Sequence, residues 1–502
     1  MGTMDSRHVL ILGLGASGLA MARWCARAGA QVTVADTRSA PPQLEALCRE
    51  LPKARFIAGA FDAALLDGAP VDAVFKSPGL TPAAVATVIE ATHARNIPAG
   101  GELTLFSEAL AGLRGARGYA PHVLAVTGTN GKTTVTALTG QLLERAGQAV
   151  AVAGNIGPTL LDTLSARLDT DDLPQTWVLE LSSFQLEGIA EFEPTAGAVL
   201  NLSQDHLDWH GSMQAYAAAK AGIFGRQALM VLNRDDPQVM AMLPAPAKGR
   251  GGRLVERGHL TFGADLPKRP GDFGIETVHG IAWLVRALPA DAPARGEEPE
   301  LHLQRLLPAD ALRIRGRHNA MNALAALALA GAAGAAIGPM LYGLREYRGE
   351  PHRVESVAIV QGVEYFDDSK GTNVGATVAA LNGLGAERKL VVILGGDGKG
   401  QDFAPLAAPI ARHARAAVLI GRDAPAVRAA LASCGVPLLD ADSMAQAVEL
   451  AGAQARSGDA VLMSPACASF DMFDDYAHRA RVFRGAVAAR AAQQGIDLEG
   501  AA

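Results

Sequence analysis

The sequence predicts an α/β protein of three domains, and the prediction rests on chain length, strand–helix alternation and one phosphate-binding loop. The chain has 502 residues, which is too long for a single hydrophobic core. Three segments alternate apolar strands with helical patterns, as is typical of parallel sheets covered by helices. We expect an N-terminal Rossmann-like domain over 1–118, a central P-loop ATPase-like domain over 119–349 and a C-terminal Rossmann-like domain over 350–502.

The phosphate-binding loop opens the central segment, where residues 123–134 read VLAVTGTNGKTT. Glycines let successive backbone N–H groups converge on phosphate oxygens, and the N-terminus of the following helix adds partial positive charge. Lys132 can then reach the terminal phosphates, and the Thr133 hydroxyl can bind a magnesium ion. A strict P-loop has glycine where this chain has Val126, so the motif is a shortened variant. It predicts binding of a nucleoside triphosphate.

A second glycine-rich turn lies near the N-terminus, where residues 13–18 read GLGASG. The turn follows a predicted strand at 8–12, opens a helix and is followed by Asp36 at the end of the next strand. This context matches a dinucleotide-binding turn, which predicts a ligand that carries phosphate or ribose. The same turn can hold the diphosphate of a nucleotide sugar, and a tight turn without a ligand is the remaining alternative.

Three polar side chains of the central segment are candidates for metal binding. Glu180 ends a predicted strand at 177–180, where a carboxylate is well placed to bind magnesium. His206 follows the strand predicted at 196–201 and can orient a metal ligand or water, although a structural role is equally compatible. Lys220 lies on the helix predicted at 212–224, and spacing alone favours an ordinary solvated lysine there.

The last segment carries three loops of similar chemistry, each placed just after a predicted strand. The strands are expected at 357–366, 389–394 and 460–463, and the loops occupy 366–373, 395–400 and 464–471. The first two loops pair a lysine with glycines or small hydroxyl residues, which suits a carboxylate or a phosphate. Three such loops in one domain indicate an anion site rather than turn formation alone.

Together these motifs closely resemble the Mur ligase family over nearly the whole chain. The segments at 127–134, 180–185, 316–320 and 352–353 are similar to the ATP-site motifs that the family shares. The loops at 367–373, 394–400 and 464–469 resemble those of the D-glutamate-adding member. The resemblance implies an ATP-dependent ligase that adds D-glutamate to UDP-N-acetylmuramoyl-L-alanine through an acyl phosphate, in peptidoglycan precursor synthesis.

The resemblance also implies a role for individual residues. The implied catalytic residues are Lys132, Glu180, His206 and Lys220. The implied metal ligands for Mg²⁺ are Thr133, Glu180, His206 and Lys220, the last as a carbamate formed with CO2. The implied ATP contacts are Gly128, Thr129, Asn130, Gly131, Lys132, Thr133, Thr134, Asn319, Arg353 and Asp368. The implied contacts to the UDP substrate are Ala16, Ser17, Thr37, Arg38, Gly79, Asn155, Ser182 and Gln185. The implied D-glutamate contacts are Lys370, Thr372, Ser469 and Phe470.

Composition excludes several classes of partner. The net charge of −6 argues against a nucleic-acid partner held through phosphate contacts. The longest apolar run, 323–340, is mostly Ala and Gly, which favours a packed core helix over a membrane span. The four cysteines show no metal-ligand spacing, and the N-terminus shows no secretory pattern. We therefore expect a cytoplasmic monomer whose partners are small-molecule substrates.

Two rival functions and one insertion remain open at this point. The nearer rival is a sister enzyme that adds another amino acid, or that adds glutamate to a folate. The farther rival is a dehydrogenase or a nucleotide-binding regulator, suggested by the turn at 13–18. The segment 288–308 is rich in Ala, Pro and Glu, and we expect an exposed, mobile loop without a catalytic role. Its end at 301–307 can still pair as a short strand, so the mobile part centres on 291–300.

Overall fold

The computed structural model describes residues 5–68, 70–248, 254–290, 300–386 and 388–496. Their strands form three large sheets and one two-stranded sheet. The three large sheets follow one another along the chain, as the sequence predicts. The boundaries expected after residues 118 and 349 fall in connections between elements, and the division into 1–118, 119–349 and 350–502 stays a prediction.

The first sheet is parallel throughout and has the order β3-β2-β1-β4-β5. Its strands are β1 (His8–Leu12), β2 (Gln31–Asp36), β3 (Arg55–Ala58), β4 (Ala73–Lys76) and β5 (Ala99–Gly100). Its helices are α1 (Ala16–Arg27), α2 (Leu44–Glu50), α3 (Pro82–Ala94) and α4 (Glu102–Arg117). Helices cover both faces, which explains why β1 is an uninterrupted apolar run.

The second sheet has nine strands in the described residues, in the order β16-β15-β14-β13-β10-β9-β6-β8-β7. The strands of this segment are β6 (His122–Thr127), β7 (Val150–Gly154), β8 (Thr176–Glu180), β9 (Ala196–Val199), β10 (Leu229–Asn233), β11 (Ala247–Lys248), β12 (Leu254–Val255), β13 (His259–Phe262), β14 (Phe273–Val278), β15 (Ile281–Pro289) and β16 (Leu301–Pro308). Its helices are α5 (Lys132–Arg145), α6 (Leu160–Asp169), α7 (Ser183–Leu186), α8 (Leu207–His210), α9 (Met213–Ala221), α10 (Pro237–Met240), α11 (Arg317–Ala332) and α12 (Ile337–Glu346). The alanine-rich α11 is a core helix whose Ala and Leu side chains pack against the sheet.

The third sheet has the order β17-β18-β22-β19-β20-β21, with β17 antiparallel to β18 and the other pairs parallel. Its strands are β17 (Glu355–Val360), β18 (Val363–Asp367), β19 (Leu390–Gly395), β20 (Ala414–Ile420), β21 (Leu438–Asp440) and β22 (Ala460–Met463). Its helices are α13 (Val374–Gly385), α14 (Ala407–His413), α15 (Ala424–Leu431), α16 (Met444–Gln454) and α17 (Tyr476–Gln493). The carboxyl ends of β18, β19 and β22 bring the three predicted anion loops to one edge.

One sequence expectation is wrong, and another is confirmed in part. The segment 357–366 is not one strand, because the chain reverses at Gln361 and Gly362, whose φ angles are 51° and 77°. These left-handed residues suit a tight hairpin turn between β17 and β18. The insertion at 288–308 is a loop only in part, because Leu288 and Pro289 of β15 pair antiparallel with residues of β16, which confirms the short strand considered at 301–307. Residues 291–299, the centre of the expected mobile part, lie outside the described residues.

Within the described residues, no helix combines the length and the apolar character that a membrane span requires. The first and second sheets share a hydrophobic core, in which the Phe106 and Trp177 rings meet edge to face at 5.1 Å. Side chains also join the second and third domains, since the amides of Asn130 and Asn373 bond to each other at 3.2 and 3.3 Å.

Candidate active site

The loop at 128–131 leaves the carboxyl end of β6 and enters the N-terminus of α5. Gly128 and Gly131 have φ angles of 149° and 84°, which side chains other than glycine rarely adopt. A Cβ atom on Gly131 would lie 2.7 Å from the Asn322 Oδ1 atom. Both glycines are therefore required for this path of the backbone, as the sequence motif indicates.

Lys132 folds back over this loop. Its Nζ atom donates to the carbonyl oxygens of Gly128, at 2.9 Å, and Thr129, at 2.8 Å. Burial lowers the pKa of Lys132, and the negative charge of Glu180 partly opposes that shift. The ammonium group is thus held at the loop where terminal phosphates are expected to bind.

A hydrogen bond between the side chains of Arg353 and Thr133 also joins the third domain to the second. The Arg353 Nη2 atom donates to the Thr133 Oγ1 atom at 2.7 Å. Arg353 lies in the connection before β17, whereas Thr133 is in the first turn of α5. The third domain therefore supplies a cation to the phosphate loop of the second.

Glu180 ends β8 beside the loop and is 1% exposed. Its Oε1 atom accepts a hydrogen bond of 3.0 Å from Asn155 Nδ2. Its Oε2 atom is buried and has no hydrogen-bond partner within the described part of the chain. A buried carboxylate oxygen without a donor is costly, and a hard cation is the partner that such an oxygen prefers. Glu180 and the Thr133 hydroxyl therefore fit a magnesium ion.

Lys220 is buried rather than solvated, so the interpretation from spacing alone is wrong. The side chain is 1% exposed, and its Nζ atom donates to Thr127 Oγ1 at 3.3 Å and to Gly128 O at 2.9 Å. The same atom lies 4.7 Å from the centroid of the Tyr216 ring. Burial, and then the positive charge of Lys132, lower the pKa of Lys220 well below its ordinary value. A buried amine of this kind is more readily neutral and nucleophilic.

His206 has a φ of 53° at the start of α8. Its Nε2 atom lies 3.6 Å from Asp205 Oδ2, and its ring packs against Phe184 at 4.8 Å. Burial lowers the pKa of His206, the Asp205 carboxylate raises it, and the charges of Lys132 and Lys220 lower it further. The fold therefore brings His206 into the same charged cluster as the two lysines.

A cavity of about 220 Å³ lies between the second and third domains beside the phosphate loop. The predicted ATP contacts that line this cavity are Asn130, Gly131, Thr134, Asn319, Arg353 and Asp368. Burial raises the pKa of Asp368 to about 7, opposed by a hydrogen bond that Ser464 Oγ donates to Asp368 Oδ2 at 2.6 Å. The Thr129 hydroxyl is engaged within the protein, since it bonds to Tyr216 OH at 3.1 Å and accepts from Ser203 N at 3.0 Å.

The predicted D-glutamate contacts lie on two loops of the third domain. Lys370 and Thr372 follow β18, and Ser469 and Phe470 follow β22. Burial lowers the pKa of Lys370, whose Nζ atom lies 5.4 Å from the centroid of the Tyr476 ring. Ser469 is 3% exposed, whereas Phe470 is 69% exposed. The two loops therefore offer a cation, hydroxyls and an exposed aromatic ring at one sheet edge.

The first-domain residues predicted to bind the UDP substrate lie at the carboxyl edge of the first sheet. Ala16, Thr37, Arg38 and Gly79 are exposed there, and Ser17 is half-buried. The turn before them is tight, because a Cβ atom on Gly18 would lie 2.0 Å from the Gly13 carbonyl oxygen.

Asp36 is engaged within the protein. Its carboxylate accepts bonds of 2.8 Å from Leu14 N and of 2.8 Å from each of Arg38 Nε and Nη2. Arg38, as the largest cause, lowers the pKa of Asp36 to about 2. The carboxylate is therefore occupied, which argues against its use on the ribose of NAD.

The three remaining predicted contacts to the UDP substrate lie on the second domain. Asn155 is exposed after β7 and donates to Glu180. Ser182 and Gln185 form a capping box at the start of α7, in which Gln185 N donates to Ser182 Oγ at 3.2 Å. Gln185 lines a cavity of about 520 Å³ together with first-domain residues that include Lys76 and Glu102.

Two residues that the fold brings to the site lie in the predicted anion loops, although sequence patterns assign neither an individual contact. Asn373 caps α13 and meets the phosphate loop through Asn130, a contact that no local motif reveals. Lys399 lies in the loop after β19 with a φ of 50°, and its charge acts on His206. The glycine-rich loop at 395–400 was the available signal for Lys399.

Models of protein families match three parts of the chain. The MurD-like N-terminal domain of Mur ligases matches residues 7–101, the Mur ligase middle domain matches 126–256, and the glutamate ligase domain of Mur ligases matches 352–467. The chain belongs to the Mur ligase family. The resemblance inferred from the motifs is therefore confirmed.

Within this family, highly similar relatives carry one particular name. The UDP-N-acetylmuramoylalanine–D-glutamate ligase of Albidiferax ferrireducens is 70% identical, with 100% of both chains covered. The ligases of the same name from Polaromonas sp. and Burkholderia thailandensis are 58% and 57% identical and cover 99% and 98% of this chain. The alignments cover 100% and 98% of those two relatives.

Solved structures confirm the three-domain α/β fold. The MurF ligase of Thermotoga maritima, solved with ADP, has a TM-score of 0.56 at 15% identity and covers 98% of this chain and 100% of its own. The UDP-N-acetylmuramate–alanine ligase of the same organism has a TM-score of 0.53 at 20% identity and covers 96% of this chain and 99% of its own.

Proposed function

We propose that this protein joins D-glutamate to UDP-N-acetylmuramoyl-L-alanine with hydrolysis of ATP to ADP and phosphate, in the synthesis of peptidoglycan precursors. The observation that carries the proposal is the identity of 70%, over the whole chain, with a relative named for that ligation. The arrangement of one phosphate loop and three anion loops around a common gap supports it.

The reaction requires that a carboxylate oxygen become a leaving group. The L-alanyl carboxylate attacks the γ-phosphorus of ATP, which gives an acyl phosphate and ADP. The amine of D-glutamate then attacks the acyl carbon, phosphate departs and the amine loses a proton. Because the first step brings two anions together, Lys132 and Arg353 neutralise charge at the phosphate loop.

Magnesium fits the same place. Thr133, Glu180, His206 and the carbamate of Lys220 would hold it, with the partnerless Glu180 oxygen as the strongest indication. When bound, the ion supplies charge neutralisation on the phosphate oxygens. Glu180 contributes to the site by holding a negative charge at the end of β8, where Asn155 fixes its orientation.

Lys220 is proposed to carry a carbamate. The neutral amine adds to CO2, forming an N–C bond and releasing one proton, so that a buried neutral amine becomes an anionic carbamate. Its burial and the adjacent Lys132 favour the neutral amine that this addition needs. A cationic lysine cannot bind magnesium, whereas the carbamate oxygens can.

The three domains would each hold one reactant. The first-domain residues and Asn155, Ser182 and Gln185 would bind the UDP substrate. The cavity beside the phosphate loop would bind ATP, through the predicted contacts on the loop together with Asn319 and Asp368. Lys370, Thr372, Ser469 and Phe470 would bind D-glutamate. We also propose that the protein acts as a monomer in the cytoplasm, where thiols such as its four free cysteines stay reduced.

The test is phosphate release by the purified protein with ATP, magnesium and UDP-N-acetylmuramoyl-L-alanine. D-Glutamate, L-glutamate, meso-diaminopimelate and L-lysine are supplied in turn, and the product is identified by mass. We expect D-glutamate to be the best substrate. A higher rate with any of the other three would contradict the proposal, and release without the UDP substrate would point to a different acceptor.

A further inference from the structure

The turn that carries Arg353 has an unusual backbone. His352 and Val354, on either side of it, have left-handed φ angles of 64° and 49°. Such a conformation is strained for residues other than glycine and persists only where surrounding contacts enforce it. The contacts that enforce this turn therefore determine where the Arg353 guanidinium points.

Two acidic side chains hold His352 in place. The backbone N–H of His352 donates to Glu355 Oε2 at 2.9 Å, and its Nδ1 atom lies 2.8 Å from Asp367 Oδ2. The His352 carbonyl oxygen in turn accepts from the Lys370 N–H at 3.2 Å. This cluster of His352, Glu355 and Asp367 thus links the turn of Arg353 to the loop of Lys370.

Arg484, on α17, neutralises the two carboxylates of this cluster. Its Nη2 atom donates to Glu355 Oε2 and lies 3.4 Å from Asp367 Oδ2. Asp367 is 0% exposed, so its charge needs a nearby cation. The ligand atoms of His352, Glu355 and Asp367 lie within 4.8 Å of one another, a spacing that a metal ion could also use. The guanidinium already bonded to this cluster favours Arg484 as the natural counter-charge.

We propose that Arg484 is a positioning residue, which orients Arg353 toward Thr133 through Glu355 and His352. The proposal rests on the proposed function, because it assigns Arg353 to the phosphate loop. Without the guanidinium, the Glu355 and Asp367 carboxylates would repel each other, and the left-handed turn would relax. The bond of 2.7 Å between Arg353 and Thr133 would then be lost from the ATP site.

The experiment compares Arg484→Met with Arg481→Met in the full chain. Arg481 is exposed on the same helix and makes no hydrogen bond or ion pair to the described residues, which makes it a matched control. For Arg484→Met we expect kcat/KM for ATP to fall by about 10- to 100-fold, because misplacement of a charge-bearing group at the reacting phosphate is costly. KM for the UDP substrate should stay unchanged, and Arg484→Lys should recover part of the loss.

The pattern of kinetic losses separates positioning from a general structural role. Arg484→Met leaves the buried Asp367 without this counter-charge, so Tm should fall, but KM for the UDP substrate should stay unchanged at a temperature well below that Tm. Equal losses in KM for both substrates at that temperature would overturn the proposal. The double variant Arg484→Met/Glu355→Gln should lose less than the sum of the single effects, since both act on one network.

Two further outcomes keep this inference separate from the proposed function. Binding of a fluorescent ATP analogue, which needs no D-glutamate, should weaken in Arg484→Met but not in Arg481→Met. Failure of that difference would overturn the role of Arg484 alone, whereas failure of the wild type to use D-glutamate would overturn the proposed function alone. Stoichiometric Zn²⁺ or Mn²⁺ in the wild-type protein that is lost in His352→Ala would identify a metal cluster and overturn the role of Arg484.

Discussion

The phosphate-loop edge of the second sheet and the open edge of the first sheet both lie at the carboxyl ends of parallel strands but differ in burial. Glu180 and Lys220 are each 1% exposed, and Lys220 Nζ donates to the Gly128 carbonyl oxygen of the phosphate loop. Thr37, Arg38 and Gly79 are exposed at the corresponding edge of the first sheet. Transfer of a phosphoryl group needs fixed charges in a dry site, whereas a polar substrate can be bound by accessible donors. The difference matches the roles that we propose, with phosphoryl transfer at the buried edge and binding of the UDP substrate at the exposed edge.

Loss of Lys132 should have the largest effect. In Lys132→Ala we expect kcat to fall by about 10³-fold or more, because Arg353 alone leaves part of the charge on the transferred phosphate without a counter-charge. Calorimetric titration should show nearly unchanged affinity for the UDP substrate, for which we propose contacts in the first domain. A comparable loss of both properties would mean that the loop is structural and that the two edges are not separate in function.

Lys220→Ala should be the next most damaging change. We expect a loss of about 10²-fold, since the variant lacks a carboxylate that helps to hold the metal. Acetate or formate at millimolar concentration should restore part of the activity of this variant and none in Lys132→Ala. Intact-mass and ¹³CO2 labelling can detect the carbamate, and full activity of unmodified protein in CO2-free buffer would contradict it.

Thr37→Val tests the open edge with a substitution of equal shape. Removal of one exposed hydroxyl should raise KM for the UDP substrate by about 2- to 10-fold, the value of a single hydrogen bond. Steady-state kinetics should show unchanged kcat and unchanged KM for ATP. A fall in kcat without a change in KM would assign Thr37 to chemistry and remove the contrast between the edges.

The smallest effect is expected from the insertion. The hairpin arms already meet where Ala290 N donates to Glu300 O at 2.8 Å, so a short Gly/Ser turn can replace residues 291–299. We expect ligase activity to stay within about threefold of wild type, because this end of the sheet carries no predicted site residue. A larger loss in the activity assay would give the insertion a role that its composition does not reveal.

Much of the fold could be predicted because local rules determine it. Apolar strands that end in glycine-rich turns, as at residues 123–131, indicate both an element and its function. The sequence predicts one strand at 357–366 because apolar residues continue on both sides of Gln361 and Gly362, so the pattern does not reveal the tight turn between them. Periodicity gives no depth of burial, so Lys220 resembles any helical lysine until the phosphate loop packs over it.

The residues that sequence reasoning missed depend on contacts between distant segments. Arg484 lies more than a hundred residues along the chain from Glu355. No local sequence pattern connects α17, which carries Arg484, to that carboxylate. Asn373 similarly reads as an ordinary helix cap, although its amide reaches Asn130. Such long-range pairs arise from the order of strands in the sheets, which the sequence alone leaves undetermined.

The most direct test of the proposed chemistry follows the oxygen atoms of the acceptor carboxylate. UDP-N-acetylmuramoyl-L-alanine labelled with ¹⁸O in its alanyl carboxylate is incubated with ATP, magnesium and D-glutamate, and the released phosphate is analysed by mass. Because the carboxylate attacks the γ-phosphorus, we expect one ¹⁸O atom in each phosphate. Unlabelled phosphate, or label in AMP, would contradict an acyl phosphate formed at Lys132 and Arg353.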